Sequence, residues 1–184
     1  KEPVDLILFA DTGGEKPNTY QHIKIFNNWL LHHEMPPIMI ANSQTLKTKT
    51  LEDDCLKRHA LPAIAYGFKT CSQRFKISPI EKYINGWKPA KDAWKLGEKI
   101  VRCIGYEAGE ERRAKNYDDK KYANRYPLIE WGWDRAKCIE VIKNAGLPLP
   151  GKSACFFWPS SKAQEVKQLA KDYPDLAARA IAME

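Results

Sequence analysis

Val4-Asp5-Leu6-Ile7-Leu8-Phe9-Ala10-Asp11-Thr12-Gly13-Gly14 is the stretch that decides the fold class. Val4 to Ala10 is a short, nearly continuous apolar run, the pattern of a parallel strand covered on both faces. Asp11-Thr12-Gly13-Gly14 breaks it. Pro17 then suits the first turn of a helix, where its missing N–H would be unpaired in any case, and Asn18 and Thr19 are further start signals. Tyr20, Ile23, Phe26, Asn27, Leu30 and Leu31 recur at helical spacing, which predicts about four turns with one apolar face. Pro36-Pro37 ends that helix, and Ile38-Met39-Ile40-Ala41 reads as a second strand. Strand, crossover helix and strand make a βαβ unit, whose hand is almost always right. The expected class is therefore α/β.

Further along, residues 42–50 are polar and read as a loop, 51–59 as a short helix, and 61–67 as a loop packed on the core. Phe75, Ile77, Ile80, Tyr83 and Ile84 predict a second amphipathic helix over 72–85, with Pro79 in its first turn and Gly86 closing it. Residues 87–96 support no single reading. Lys99 to Gly105 reads as a third strand, followed by a charged loop through Glu107, Glu110, Glu111, Arg112 and Arg113. Asp134 is placed to cap a helix over 135–144 that Gly146 ends. Pro148 and Pro150 force an extended segment into Cys155-Phe156-Phe157-Trp158-Pro159, and Ser160 or Ser161 caps a last helical region.

Composition bounds the classes. A chain of 184 residues, 43% hydrophobic and 29% charged, suits one domain with a real core. No apolar run approaches the roughly 20 residues of a bilayer span, so no membrane partner is expected. The charged start is not a signal peptide, and cytoplasm is the expected compartment. Opening three residues before a core strand and stopping inside a helical pattern, the chain reads like a segment of something longer. The five cysteines are widely spaced without a CxxC pair, which argues against a secreted disulfide framework and a zinc ribbon. The net charge of +7 favours a polyanionic partner or a phosphorylated small molecule; lysines that merely solubilise a surface are the plainer reading.

Open α/β sheets bind ligands beyond the carboxyl ends of their strands. Two turns qualify. At Asp11-Thr12-Gly13-Gly14 the glycines allow close backbone approach and Thr12 offers a hydroxyl; a tight turn without a ligand is the alternative. After Gly105, Arg112 and Arg113 could clamp a phosphate, with a surface ion-pair cluster around Glu110 and Glu111 as the alternative. Cys71 opens a helix beside Lys69, Arg74 and Lys76, which should favour its thiolate, although a lone thiol there is more often buried and inert. Cys155 reads as a small hydrophobe in an aromatic cluster. Core packing accounts for Cys55, Cys103 and Cys138. His22, His32, His33 and His59 lack metal-ligand spacing, and His32-His33 suits a helix dipole better.

Four blocks, in order, resemble the phosphoadenosine phosphosulfate (PAPS) reductase family of the adenine nucleotide alpha hydrolase, or ATP-pyrophosphatase, superfamily. Leu8 to Gly13 with Pro17, Thr19 and Tyr20 is similar to its strand-DTG-P-x-T-Y block. Cys71 to Ile80 is similar to its cysteine-basic-proline helix start. Ile104-Gly105 through Glu110 and Arg113 is similar to its glycine-to-arginine loop. Tyr126 to Trp131, Leu147-Pro148 and Cys155 to Pro159 are similar to its closing block, in phrasing closest to the PAPS-reductase-like proteins of phages and mobile elements.

The resemblance implies a Rossmann-like, HUP-type parallel sheet in three α/β/α layers, forming a single domain over 1–184 that lacks its first strand and phosphate loop. It implies ATP or PAPS as ligand, with Asp11, Thr12, Gly13, Gly105, Glu110, Arg112 and Arg113 around the adenine nucleotide. Cys71 and Cys155 would be the catalytic pair, as a redox couple or a metal pair. The chain departs from the family in three ways. The SGGxDS loop would precede Lys1. The iron–sulfur ligand positions read Thr70-Cys71 and Cys155-Phe156-Phe157-Trp158, two cysteines of four, so no iron–sulfur cluster is expected and no metal ligand is assigned. No cysteine follows Cys155. The implied function is sulfur- or adenylyl-transfer in nucleotide or nucleic-acid modification. The alternatives are a non-catalytic nucleic-acid-binding module on the same fold, and a sulfurtransferase acting on DNA or tRNA through Cys71.

Overall fold

The predicted βαβ unit is present. A computed structural model describes residues 3–42, 48–62, 70–115 and 119–183. Strands β1 (Ile7–Asp11) and β2 (Ile38–Asn42) pair in parallel, Ile7 opposite Ile38 and Asp11 opposite Asn42, with helix α1 (Pro17–His32) between them in the chain. Pro17 stands at the start of α1 as its fixed φ favours. Asn27 Oδ1 accepts the Ile38 N–H at 2.8 Å, tying the helix to the first residue of β2. The helix stops at His32, ahead of Pro36-Pro37, because Glu34 turns the chain at φ 55°. His32 in the last turn and His33 at the cap face the negative end of the helix dipole.

Full coverage of β1 is not found. All five of its residues are half-buried, and β2 leaves Met39 and Ile40 exposed. Among the described residues each of these strands has one neighbour only, so one hydrogen-bonding edge of each is open.

Helix α2 (Leu51–Arg58) follows its cap closely. Thr50 Oγ1 accepts the Asp53 N–H at 3.0 Å, acids fill the first turn, and Lys57 and Arg58 the last. The next helix differs from the sequence reading. It starts at α3 (Thr70–Ser72), widens into a π turn over Gln73–Ile77, and continues as α4 (Ser78–Gly86). Pro79 is thus the second residue of α4 and not part of the helix's first turn. Proline lacks an N–H and its ring collides with the carbonyl four residues back. The wide turn, in which the Ser78 N–H reaches the Gln73 carbonyl, accommodates it. This turn packs on β1 and β2 and carries Phe75 into complete burial.

The described residues form two compact units, Lys1–Tyr83 with Pro150–Glu184, and Ile84–Leu149. In the first, Leu51, Cys55, Phe75, Phe156, Phe157 and Leu169 make one core, and α8 (Ala163–Asp172) and α9 (Pro174–Ile181) close it. The helix cap is Lys162, not Ser160 or Ser161, whose turn is held by Ser161 N–H to the Trp158 carbonyl. Pro174 splits the last helical region in two.

The second unit holds α5 (Lys88–Lys95), β3 (Ile100–Cys103), β4 (Tyr122–Arg125), α6 (Pro127–Glu130) and α7 (Arg135–Asn144). The ambiguous 87–96 stretch is therefore helical. β3 and β4 pair in parallel, Ile100 opposite Tyr122. β4 escapes sequence reading because Ala123, Asn124 and Arg125 offer no apolar run; Arg102 holds it instead, over the Tyr122 ring at 4.0 Å and bonded to Asn124 Oδ1 at 2.9 Å. As expected, Asp134 caps α7 through the Lys137 N–H at 2.8 Å, and Gly146 follows at φ 70°. Cys103 corrects the core reading: it falls on the exposed phase of β3. Of the expected loops over 42–50 and 61–67, Asn42 instead closes β2, and 43–47 and 63–67 lie outside the described residues. No described helix is long and apolar enough to cross a membrane.

Candidate functional site

The turn after β1 is built by its own side chains. Asp11 Oδ1 accepts both the Gly13 N–H and the Tyr20 hydroxyl at 2.8 Å, while its Oδ2 makes no hydrogen bond among the described residues. Burial, reinforced by the Asp11 carboxylate, pushes the Tyr20 phenol far above its ordinary range, so it remains a donor to Asp11 at any working pH. Thr12 is 1% exposed; its Oγ1 accepts the Gly14 N–H at 3.2 Å and its carbonyl accepts the Leu51 N–H at 2.8 Å. Gly13 turns the chain at φ 68°, with the Thr50 side chain against its α-carbon.

A second wall comes from the far end of the chain. Glu15 bridges Cys155 in antiparallel fashion, and the Phe156 N–H bonds the Gly14 carbonyl at 2.9 Å. A side chain at Gly14 would fall 2.9 Å from the Phe157 ring, so this strand contact needs glycine there. The Glu15 carboxylate is buried and is met by Thr12 Oγ1 at 3.5 Å, Lys76 Nζ at 3.5 Å and Ser153 Oγ at 3.3 Å. Cys155 Sγ lies 3.8 Å from Thr12 Oγ1. Burial, helped by the Glu15 charge, pushes the Cys155 thiol up to about 11, so it is protonated at neutral pH. Cys71 is half-buried and packs on the core cluster that contains Cys155 and Cys55. All five cysteines are free thiols.

Asp11, Thr12, Gly13, Cys71 and Cys155 thus share the first unit, the first three with Cys155 in one hydrogen-bonded patch. Gly105, Glu110, Arg112 and Arg113 belong to the second. There Arg113 pairs with Glu110 and lies over the Tyr106 ring at 4.2 Å, and Tyr106 stacks on Tyr126 with centroids 5.7 Å apart. The Arg113 hydrogen bond holds the Glu110 carboxyl below its usual range. Arg112 is exposed and makes no ion pair among the described residues. A Cβ added at Gly105 would meet nothing closer than Leu128 Cδ1 at 4.0 Å among the described residues.

Glu15, Ser153 and Tyr20 complete the first patch, and only Tyr20 sits in a sequence motif. Asp54 is a further residue without a motif. It is 5% exposed and takes a two-pronged bond from Arg74 at 2.8 and 2.9 Å, with Arg58 Nε on the same carboxylate at 2.8 Å. The i, i+4 spacing of Asp54 and Arg58 hints at half of it; Arg74 arrives by folding. Arg74 is therefore a structural partner of α2 rather than a cation placed for Cys71. Burial alone would raise the Asp54 carboxyl, but the Arg74 hydrogen bonds and the two guanidinium charges outweigh it and hold it below the ordinary range. A carboxyl depressed in the folded state stabilises above its unfolded pKa of about 4 and loses that contribution as pH falls through the folded value. Thermal midpoints of wild type should thus fall more steeply below pH 4 than those of Asp54→Asn. Parallel curves would remove the assignment.

Beside the start of α1 lies a cleft of about 240 Å³, lined by Lys16, Asn18, Lys152, Glu165, Gln168 and Tyr173 among others. Lys152 bonds Glu165 at 2.6 Å and Gln168 bonds Asp172, whereas the buried Asn18 Oδ1 has no hydrogen-bond partner among the described residues. No group of three or more His, Cys, Asp or Glu side chains suited to a metal ion occurs among the described residues. No family model, curated protein or solved structure matches the chain.

Proposed function

We propose that this chain binds an adenine nucleotide at the carboxyl end of β1, in the manner of PAPS-reductase-like proteins, and that β1 and β2 belong to a three-layer Rossmann-like sheet. The observation that carries the reading is Asp11. Its Oδ1 is pinned by Gly13 and Tyr20 while Oδ2 makes no hydrogen bond among the described residues, where parallel strands end and ligands of such sheets sit. An oriented carboxylate oxygen of this kind accepts a ribose hydroxyl or an adenine amino group. The Gly13 N–H holds that carboxylate in place, and Thr12, buried and bonded to Gly14 and Leu51, fixes the turn around it rather than meeting the ligand with its side chain. The chemistry served would be sulfur- or adenylyl-transfer in nucleotide or nucleic-acid modification. Of the two cysteines Cys71 is the candidate for carrying sulfur, because the buried Cys155 thiol is too basic to supply thiolate at neutral pH.

Calorimetry of the full-length protein with ATP, PAPS and adenosine phosphosulfate tests this. At least one should give heat. Asp11→Asn keeps an acceptor for Gly13 and Tyr20 but turns the open oxygen into a donor, and should weaken that binding about tenfold or more. No heat with any of the three overturns the nucleotide reading. Heat that Asp11→Asn leaves unchanged overturns the placement.

A further inference from the structure

The second unit carries a different chemistry. Its sequence, 84–149, has 14 Lys and Arg against 10 Asp and Glu and holds four of the six tryptophans. Cations lie over rings throughout: Lys121 over Trp94 at 4.5 Å, Arg102 over Tyr122 at 4.0 Å, Arg113 over Tyr106 at 4.2 Å. The last of these tops a stack, since Tyr106 lies nearly parallel to Tyr126 at an interplanar angle of 10°. The guanidinium carbon of Arg113 lies over the Tyr106 ring, and the side chain is 57% exposed. A second flat surface is Trp131, 58% exposed and supported by Trp133 at 5.0 Å. One backbone hydrogen bond, Ala108 N–H to the Trp133 carbonyl at 2.8 Å, ties the loop of Arg113 to the loop of Trp131.

The acids of these loops are engaged. Glu107 pairs with Arg135, Glu110 with Arg113, Glu130 with Arg125, Glu111 accepts the Gly109 N–H and Asp134 caps α7. Arg112 makes no ion pair among the described residues. The loops therefore offer two supported stacking faces and an uncommitted guanidinium.

We infer that this unit binds single-stranded nucleic acid, with bases stacked on Trp131 and on the outer face of Arg113 and a phosphate taken by Arg112. Aromatic and guanidinium planes are how proteins hold unpaired bases, and cations beside them hold the backbone. A duplex keeps its bases stacked on each other and has no face to offer these platforms. The inference stands independently of the nucleotide reading of Asp11.

The test is fluorescence anisotropy of labelled twelve-nucleotide oligo-dT and oligo-U with the full chain, beside a duplex of equal length, over a salt series. Single strands should bind more tightly than duplex. Trp131→Ala should weaken single-strand binding about tenfold. Arg112→Ala should reduce the magnitude of the log–log salt slope by about 1. Both side chains are exposed, so thermal midpoints should match wild type. Asp11→Asn should leave oligonucleotide binding unchanged, which separates this site from the nucleotide site. Absence of binding at low salt overturns the inference, as does duplex bound as well as single strand. Binding indifferent to both Trp131→Ala and Arg112→Ala overturns it too. Self-association that Trp131→Ala abolishes, without oligonucleotide binding, would assign the patch to a second copy of the chain instead.

Discussion

Phe75→Ala is expected to lower the stability of the first unit by about 3–5 kcal/mol, the range for a fully buried phenylalanine. Phe75 has no exposed surface and sits where α2, the π turn, the Cys155–Phe157 segment and α8 converge. Collapse into the space is hindered on two sides. Pro79 keeps the π turn wide, and the antiparallel contact at Glu15 and Cys155 keeps Phe156 and Phe157 in place. The loss should therefore lie toward the upper part of that range. Urea unfolding followed by circular dichroism measures it; a loss below about 1.5 kcal/mol, the cost of a well-tolerated core swap, would mean that Phe75 is not central.

The second large effect concerns Gly13. Alanine there must hold φ near 68°, which costs an L-residue about 1–2 kcal/mol. Its Cβ would also fall 2.5 Å from Thr50 Cγ2 and 2.7 Å from Thr50 Cβ. Thr50 cannot retreat freely, because its hydroxyl caps α2 and the next residue's N–H bonds the Thr12 carbonyl. Adding about 1–3 kcal/mol for overpacking brings the expected loss for Gly13→Ala to about 2–5 kcal/mol. Thr50→Gly removes the opposing atoms and keeps most of the cap preference. The double variant should then be more stable than the sum of the two single losses predicts, with a coupling of about 1–2 kcal/mol. Strict additivity would show that the two residues do not meet.

Sequence made local features legible and long-range ones obscure, for a physical reason. Pro17, Thr12-Gly13 and the Asp134 cap act within four residues, so their signals survive in one dimension. The βαβ reading followed because an apolar run and a helical period are also local. The sequence places Pro79 in the first turn of a helix; that a π turn precedes it depends on what Phe75 must fill. β4 has no pattern because a cation and an amide hold it. Asp54 is one of three acids in the first turn of α2, and its meaning lies in Arg74, 20 positions away. Asp11 and Thr12 were legible as a turn; that Glu15, Ser153 and Cys155 complete it was not, since those contacts span up to 143 positions.

That last span bears on the order in which the molecule assembles. Unit one is made of two chain stretches with the second unit threaded between them. The Gly14–Phe156 contact closes a loop whose entropy cost grows with the logarithm of its length. If 84–149 condenses first, the flexible length shrinks to roughly half and closure becomes easier by about 0.6 kcal/mol. During synthesis the strand β1 waits for residues 155–157 long after it has left the ribosome, with Met39 and Ile40 beside it in water. Condensation of 84–149 thus shortens the loop between the two stretches of unit one, and with it the time during which the strand edge of β1 can pair with another chain.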